Sequence, residues 1–235
     1  NIHLTKVDSE YPDNKLTGAT FEVYKDSNAT GNLDDGDELL GTLTEKEIGE
    51  YSMNDLFYGR YFVKETKAPE GFVLDTGVYE VMIDTNGKTY KVENKAGVGF
   101  VNDAMRGNLK IIKTSSDGKV KGFAFRITGA NGYDIILETN DKGEIFIDGL
   151  RIGDYTISEV SNSASSMYVI PADKKATVKI GSTTIVEMHN VLRDTPKTGD
   201  TTNLPLLYAL AGLSAVGIAV CGVIGFKKKK KEDRN

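Results

Sequence analysis

Apolar and polar residues alternate in short runs along residues 1–192, with the period of two that belongs to strands rather than the 3.6 of helices. The clearest run is Tyr61-Phe62-Val63-Lys64-Glu65-Thr66-Lys67, which stops at Ala68-Pro69-Glu70-Gly71, where Pro and Gly punctuate a turn. Ile2-His3-Leu4-Thr5-Lys6 alternates in the same way, and Ala19 to Tyr24 follows a turn at Tyr11-Pro12-Asp13-Asn14. Further strands are expected near 39–44, 50–53, 59–67, 78–83 and 89–93, with an Asn86-Gly87 hairpin turn between the last two. The series closes at Val98-Gly99-Phe100-Val101-Asn102. After a short joint, Asp103 to Gly107, the pattern restarts. Leu109, Ile111 and Lys113 share a face, Phe123 to Thr128 answers Ala19 to Tyr24, and Ile135 to Thr139 answers the strand near 39–44. Tyr155-Thr156-Ile157-Ser158-Glu159 then answers Tyr61 to Glu65, and Val186 to Asn190 closes the second unit.

Within this pattern a few polar residues stand on the wrong face. Lys6 shares the side of Ile2 and Leu4, Glu65 that of Tyr61 and Val63, and Asn102 that of Val98 and Phe100. The second unit repeats the order with Lys113, Glu159 and Asn190. Burying a lone charge is costly, so each odd residue needs a partner. Asn94 is a rival to Asn102, but it lacks neighbouring apolar parity. Two readings are open: a buried Lys–Glu ion pair with Asn as a hydrogen-bonding neighbour, or a reactive set.

Length and charge narrow the class. The chain has 235 residues, enough for about two domains, and it is glycine-rich and lacks tryptophan, as suits an all-β fold. Its net charge is −5, and the basic tail 227–235 hides a more acidic body, so the body is not expected to bind nucleic acid. Cys221 is the only cysteine, which excludes an internal disulfide; any covalent staple is of another kind. The chain starts at Asn1 without Met or a signal peptide, and is read as a fragment or mature form.

Three segments carry a family resemblance: the strand holding Lys6, Leu16-Thr17-Gly18-Ala19-Thr20-Phe21-Glu22-Val23-Tyr24, and Glu65-Thr66-Lys67-Ala68-Pro69-Glu70-Gly71-Phe72. They resemble the SpaA-like, Cna B-type domains of Gram-positive surface proteins. The resemblance implies two tandem prealbumin-like (Ig-like) β-sandwich domains, residues 1–104 and 105–193. It also implies intramolecular isopeptide bonds between lysine and asparagine, assisted by glutamate. By position, Lys6 would join Asn102 with Glu65 assisting, and Lys113 would join Asn190 with Glu159 assisting. The second unit lacks the Ala-Pro-x-Gly turn after its glutamate. Burial favours neutral lysine and protonated glutamate, so the amine attacks the amide carbon while the acid polarises the amide oxygen and moves protons to the departing ammonia. Such a set acts once, on itself, so no enzyme activity and no required cofactor are expected.

The loop from Asp26 to Asp37 places Asp26, Asn28, Thr30, Asn32, Asp34 and Asp37 at or near EF-hand positions, with Gly31 at the sixth. The last position is Asp rather than a bidentate Glu, and no helix pattern flanks it. Calcium ligation and a solvated acidic hairpin loop are both open, the second preferred.

The C-terminal stretch has its own logic. Leu204 to Phe226 is 23 residues without a charge, long enough for a transmembrane helix, and Lys227 to Lys231 favours a cytoplasmic end. Ahead of it, in the polar segment 194–203, stands Thr195-Pro196-Lys197-Thr198-Gly199. The series resembles a sortase cell-wall sorting signal, with Thr195 where Leu is usual. It implies cleavage between Thr198 and Gly199, transfer of Thr198 to peptidoglycan, membrane residence before sorting, and an extracellular, wall-anchored location. The leading function is therefore a self-crosslinked stalk. The alternative is an adhesin or minor-pilin module that itself binds a host or matrix ligand. An enzymatic domain ahead of Asn1 is a further reading, but His3 and His189 lie at opposite ends of different units and no nucleophile triad is evident. A pilin shaft would need a lysine in Tyr11-Pro12-Asp13-Asn14, where Asp13 stands instead.

Overall fold

The alternation builds strands almost throughout the described chain, which in this computed structural model is residues 1–194. In the first half they are β1 (Ile2–Asp8), β2 (Thr20–Lys25), β3 (Glu38–Thr42), β4 (Thr44–Glu47), β5 (Glu50–Met53), β6 (Gly59–Lys67), β7 (Val78–Ile83), β8 (Tyr90–Lys91) and β9 (Phe100–Asn102). In the second they are β10 (Arg106–Ser115), β11 (Ala124–Thr128), β12 (Asp134–Glu138), β13 (Glu144–Arg151), β14 (Gly153–Val160), β15 (Tyr168–Val169), β16 (Lys174–Val178) and β17 (Thr183–Leu192). Ala130–Gly132 forms a short 3-10 turn. The sorting pentapeptide Thr195 to Gly199, the apolar span 204–226 and the tail 227–235 lie outside the described residues. Among the described residues no helix is long and apolar enough to cross a membrane.

Each half is an all-β sandwich of two sheets. One sheet carries the first and last strands, in the order β4-β5-β1-β8 with β9 also on β1, and β13-β10-β17-β15. The other carries the glutamate strand, in the order β3-β2-β6-β7 and β12-β11-β14-β16. Inward-facing residues of both sheets share one core: Ile2, Leu4 and Phe100 with Phe21, Val23 and Val63 in the first half, and Leu109, Ile111 and Met188 with Phe125, Ile127 and Ile157 in the second. Phe21 packs edge-on to Phe100 at 4.9 Å between ring centres, which ties one sheet to the other.

First and last strands run parallel in both halves. Lys6 lies opposite Phe100 in β1 and β9, and Lys113 opposite Met188 in β10 and β17. In each case the asparagine is two residues further along the last strand, on the same face.

Two expectations are corrected. The strand expected near 39–44 is two strands in different sheets, β3 and β4, because Leu43 turns into the core and donates its N–H to Phe21 O at 2.9 Å. The turn at Asn86-Gly87 does not close a hairpin. β7 pairs with β6 while β8 pairs with β1, so this turn carries the chain from one sheet to the other. Strands β13, β15 and β16 were not expected; β16 buries only Ala176 and Val178, too little apolar surface to mark it.

The halves meet through a charged joint. Arg151 makes a two-pronged contact with Asp8 at 2.6 and 2.7 Å and bonds to Glu10 at 2.7 and 3.0 Å, with Tyr11 and Phe72 against its guanidinium. Asp8 is 2% exposed. Arg151→Ala would leave that carboxylate without its cation, and the expected cost is about 3 kcal/mol in calorimetric unfolding of the first half. The exposed pair of Arg126 with Asp134 is the comparison, since Arg126→Ala is expected to cost far less than Arg151→Ala.

Candidate functional site

The strands bring Lys6, Glu65 and Asn102 together inside the first sandwich. β1 and β9 supply the lysine and asparagine from one sheet, and β6 supplies the glutamate from the other. Glu65 is opposite Phe21 in its sheet, and Glu159 is opposite Phe125 in the corresponding place. The second set, Lys113, Glu159 and Asn190, comes from β10, β14 and β17. None of the six side chains is more than 7% exposed.

The asparagine amide is bonded to the glutamate in both sets. Asn102 Nδ2 donates to Glu65 Oε2 at 2.8 Å, and Asn190 Nδ2 to Glu159 Oε1 at 2.6 Å. Asn102 Nδ2 also donates to Val73 O at 2.5 Å, and the Asp75 N–H to Glu65 Oε2 at 2.8 Å. The lysines are held differently. Lys6 Nζ donates to Phe100 O at 3.1 Å and Lys113 Nζ to Thr114 O, and an aromatic ring lies beside each: Phe100 at 5.3 Å and Phe123 at 4.1 Å from ring centre. Among the described residues neither lysine is ion-paired with a carboxylate within 4.0 Å. The buried Lys–Glu ion pair open to the sequence is therefore not the arrangement found.

Two acceptors in each set have no hydrogen-bond partner among the described residues: Glu65 Oε1 and Asn102 Oδ1, and Glu159 Oε2 and Asn190 Oδ1. Buried acceptors are rarely left so. A protonated glutamate would supply an O–H donor to a set in which the amide oxygen still lacks one. Electrostatics favour the same state. Burial raises Glu65 above the ordinary carboxylate range, against the opposing bonds from Asn102 and the Asp75 N–H and the Lys6 charge. Burial likewise raises Glu159, opposed by the Asn190 bond and the Lys113 charge. Burial lowers Lys6 from 10.5 to about 8, opposed by the charges of Glu65, Asp75 and Asp8, and it lowers Lys113 against those of Glu159 and Asp117. Each set thus combines an amine released toward its neutral form, an amide, and a carboxyl pushed toward its acid form.

A pH dependence follows wherever Lys6 stays unreacted. In Asn102→Ala protein the folded state binds fewer protons at Lys6 than the unfolded state between about pH 8 and 10.5, so stability rises with pH across that window. The expected gain is roughly 3 kcal/mol, read from urea midpoints at pH 7.5 and 10.5. Glu65 contributes in the opposite sense just above the ordinary carboxylate range, where its folded form holds the extra proton.

Asn94 is bonded to Asp75 and Val101 rather than to Glu65. Its amide donates to Asp75 at 2.6 Å and to Val101 O at 2.8 Å, and its oxygen accepts the Val101 N–H at 2.6 Å. Asp75 was missed in the sequence. It also accepts from Tyr79 Oη and the Gly77 N–H, and these bonds hold its carboxylate below the ordinary range despite burial. It lies in the irregular segment after Gly71, where no strand parity could mark it.

The acidic loop is engaged with itself. Asp34 accepts from the Asn28 amide at 2.7 Å, Thr30 Oγ1 at 2.8 Å and the Gly36 N–H at 2.8 Å, and Asp37 from the Ser27 and Asp34 N–H groups. Thr30 Oγ1 also donates to the Asn32 carbonyl, and Asp26 faces Arg60 at 3.3 Å. Among the described residues no cluster of three or more His, Cys, Asp or Glu is arranged to hold a metal. Tyr11 sits in the joint under Arg151, and Lys15 beside it is paired with Glu50 at 2.6 Å.

Residues 1–96 and again 107–192 match the SpaA prealbumin-like fold domain. The trypsin-resistant surface T6 protein of Streptococcus pyogenes serotype M6 is 27% identical over 176 residues, which cover 73% of this chain and 29% of that protein. The TIE protein of Bacillus anthracis superimposes with a TM-score of 0.60 at 25% identity, over 80% of this chain and 33% of that one. GBS52, the minor pilin of Streptococcus agalactiae, matches with a TM-score of 0.40 at 19% identity, over 85% of this chain and 98% of its own. The chain thus spans about a third or less of the first two proteins.

Proposed function

This chain belongs to the SpaA family of prealbumin-like fold domains, and from that membership we propose that it is a cell-surface stalk whose two sandwiches crosslink themselves. In each, the lysine amine attacks the asparagine Cγ. The new C–N bond replaces the bond to Nδ2, which leaves as ammonia. The glutamate takes a proton from the lysine nitrogen and returns one to the leaving nitrogen, so protons balance and the carboxyl ends as it began. Its O–H polarises the amide oxygen during attack. Strand pairing fixes the reactants beside one another, in place of a bimolecular encounter.

The observation that carries this reading is the pair of orphaned acceptors repeated in both sets, each with a buried lysine that has no carboxylate within 4.0 Å among the described residues. The relative in S. pyogenes is described as a trypsin-resistant surface protein, which suits a chain tied from first strand to last. The C-terminal series implies the rest of the life cycle: residence in the membrane, cutting by a sortase between Thr198 and Gly199, and a covalent link from Thr198 to peptidoglycan. Force arriving from the wall would then pass from last strand to first through a covalent bond. A tryptic map of denatured protein is the test. It is expected to yield branched peptides joining Lys6 to Asn102 and Lys113 to Asn190; four linear peptides in their place would overturn the proposal.

A further inference from the structure

The two sandwiches present the same end in the same way, yet among the described residues only one of these ends is covered. Asp55 and Gly149 both take a left-handed backbone, with φ of 60° and 64°. The Asp55 N–H donates to Asn1 Oδ1 at 3.2 Å, and the Gly149 N–H to Asn108 Oδ1 at 3.1 Å. Tyr61 Oη donates to Phe57 O at 2.8 Å, and Tyr155 Oη to Arg151 O at 2.9 Å. Leu56, Phe57 and Tyr58 are thereby the counterparts of Leu150, Arg151 and Ile152.

In the second sandwich this loop is the joint. Arg151 clamps Asp8 and Glu10 of the sandwich ahead of it, and the Ile152 N–H donates to Met105 O at 3.0 Å. In the first sandwich the same loop holds Phe57 at 83% exposure and Tyr58 at 64%, beside a cleft of about 340 Å³ that runs to Thr85 and Gly87. An aromatic side chain this exposed, where its counterpart is a clamp, marks an unfilled contact rather than a solvated turn.

We infer that this end is the seat of another prealbumin-like sandwich, stacked ahead of the first half as the first half is stacked ahead of the second. Its contact is apolar where the internal joint is ionic. The occupant presents its trailing end, the part that carries Asp8, Glu10, Tyr11 and Phe72 in this chain, with apolar side chains at the two acidic positions. An acidic end like that of the first half would fit poorly, since Phe57 offers no cation and Asp55 stands beside it. The inference rests on the joint's geometry and is independent of the crosslinks.

Hydroxyl-radical footprinting tests it, on the polypeptide as its own cell exports it and on the chain that starts at Asn1. Labelling of Phe57 and Tyr58 is expected to fall several-fold in the exported polypeptide, while Phe146, 57% exposed on the second sandwich, labels equally in both. In the exported polypeptide, Phe57→Asp is expected to restore labelling of Tyr58. In the chain that starts at Asn1 it should leave the melting temperature unchanged. Equal labelling of the two aromatics in both polypeptides would overturn the inference, as would an exported polypeptide that begins at Asn1. So would Tyr58 staying protected in the Phe57→Asp variant. Protection that arises in the Asn1 chain only as its concentration is raised would assign the face to a second copy, and would also overturn it.

Discussion

Glu65→Gln is expected to leave the first sandwich at its own full sequence mass, with no ammonia lost from it, and the second sandwich unaffected. Gln keeps the size and the amide-accepting oxygen of the glutamate but cannot carry the transferred proton. The lysine nitrogen must give up a proton as the new bond forms, and Nδ2 must gain one before it leaves, in a core that excludes water. Removal of a positioned acid–base group slows such a step by about 10²- to 10⁴-fold. Oriented strands keep the reactants together in the variant, so slow bond formation over days is compatible with the account, whereas formation at the wild-type rate is not. Glu159→Gln should do the same to the second sandwich alone. The two sets share no hydrogen-bond partner and lie in separate cores, so the effects should add. Intact mass against time after refolding reads both.

Lys6→Ala is expected to lower the stability of the first sandwich by about 4–5 kcal/mol. The proposed bond from Lys6 to Asn102 would close a loop of nearly the whole half, and the loss of unfolded-state entropy from a loop of that size is of this order. For a sandwich of about 100 residues, that corresponds to a fall in melting temperature of roughly 20–30 °C. The variant also removes the fully buried Lys6 stem, so lost packing adds to the loss of the crosslink. Glu65→Gln supplies the comparison, because Lys6 and Asn102 stay in place and only the bond is missing. Equal melting temperatures for wild type and both variants would mean that no crosslink stabilises this half. Under load the contrast should be larger still. With the bond, force would enter at β1 and leave at β9 without unfolding the residues between, while without it the three parallel residue pairs of these strands would bear the load in shear alone.

Much of this was legible in the sequence because strand parity exposes misplaced polar residues. Lys6, Glu65 and Asn102 betray themselves by standing among Ile2, Leu4, Val63 and Phe100, and the repeat at Lys113, Glu159 and Asn190 ties them into sets. Parity cannot say which sheet a strand joins. Hence the chain reversal at Asn86-Gly87 resembles a hairpin in sequence, although β7 and β8 belong to different sheets, and Leu43 reads as part of a continuous strand. Nor could parity find Asp75, which lies in irregular chain, or the role of Asn94, whose three bonds depend on where Asp75 and Val101 meet. Arg151 lies 143 residues from Asp8 and is an ordinary surface arginine in sequence; only folding puts the two together. The lysines' lack of a carboxylate partner was likewise invisible, since composition offers an acid for each base.

The most direct test is the intact mass of residues 1–194, produced without a sortase and measured after denaturation. Both complete sandwiches lie within that span. A mass two ammonias below the sequence value is predicted, because both sets hold the same orphaned acceptors around a neutral-leaning amine. The full sequence mass would contradict the account, leaving both sets as unreacted buried polar clusters.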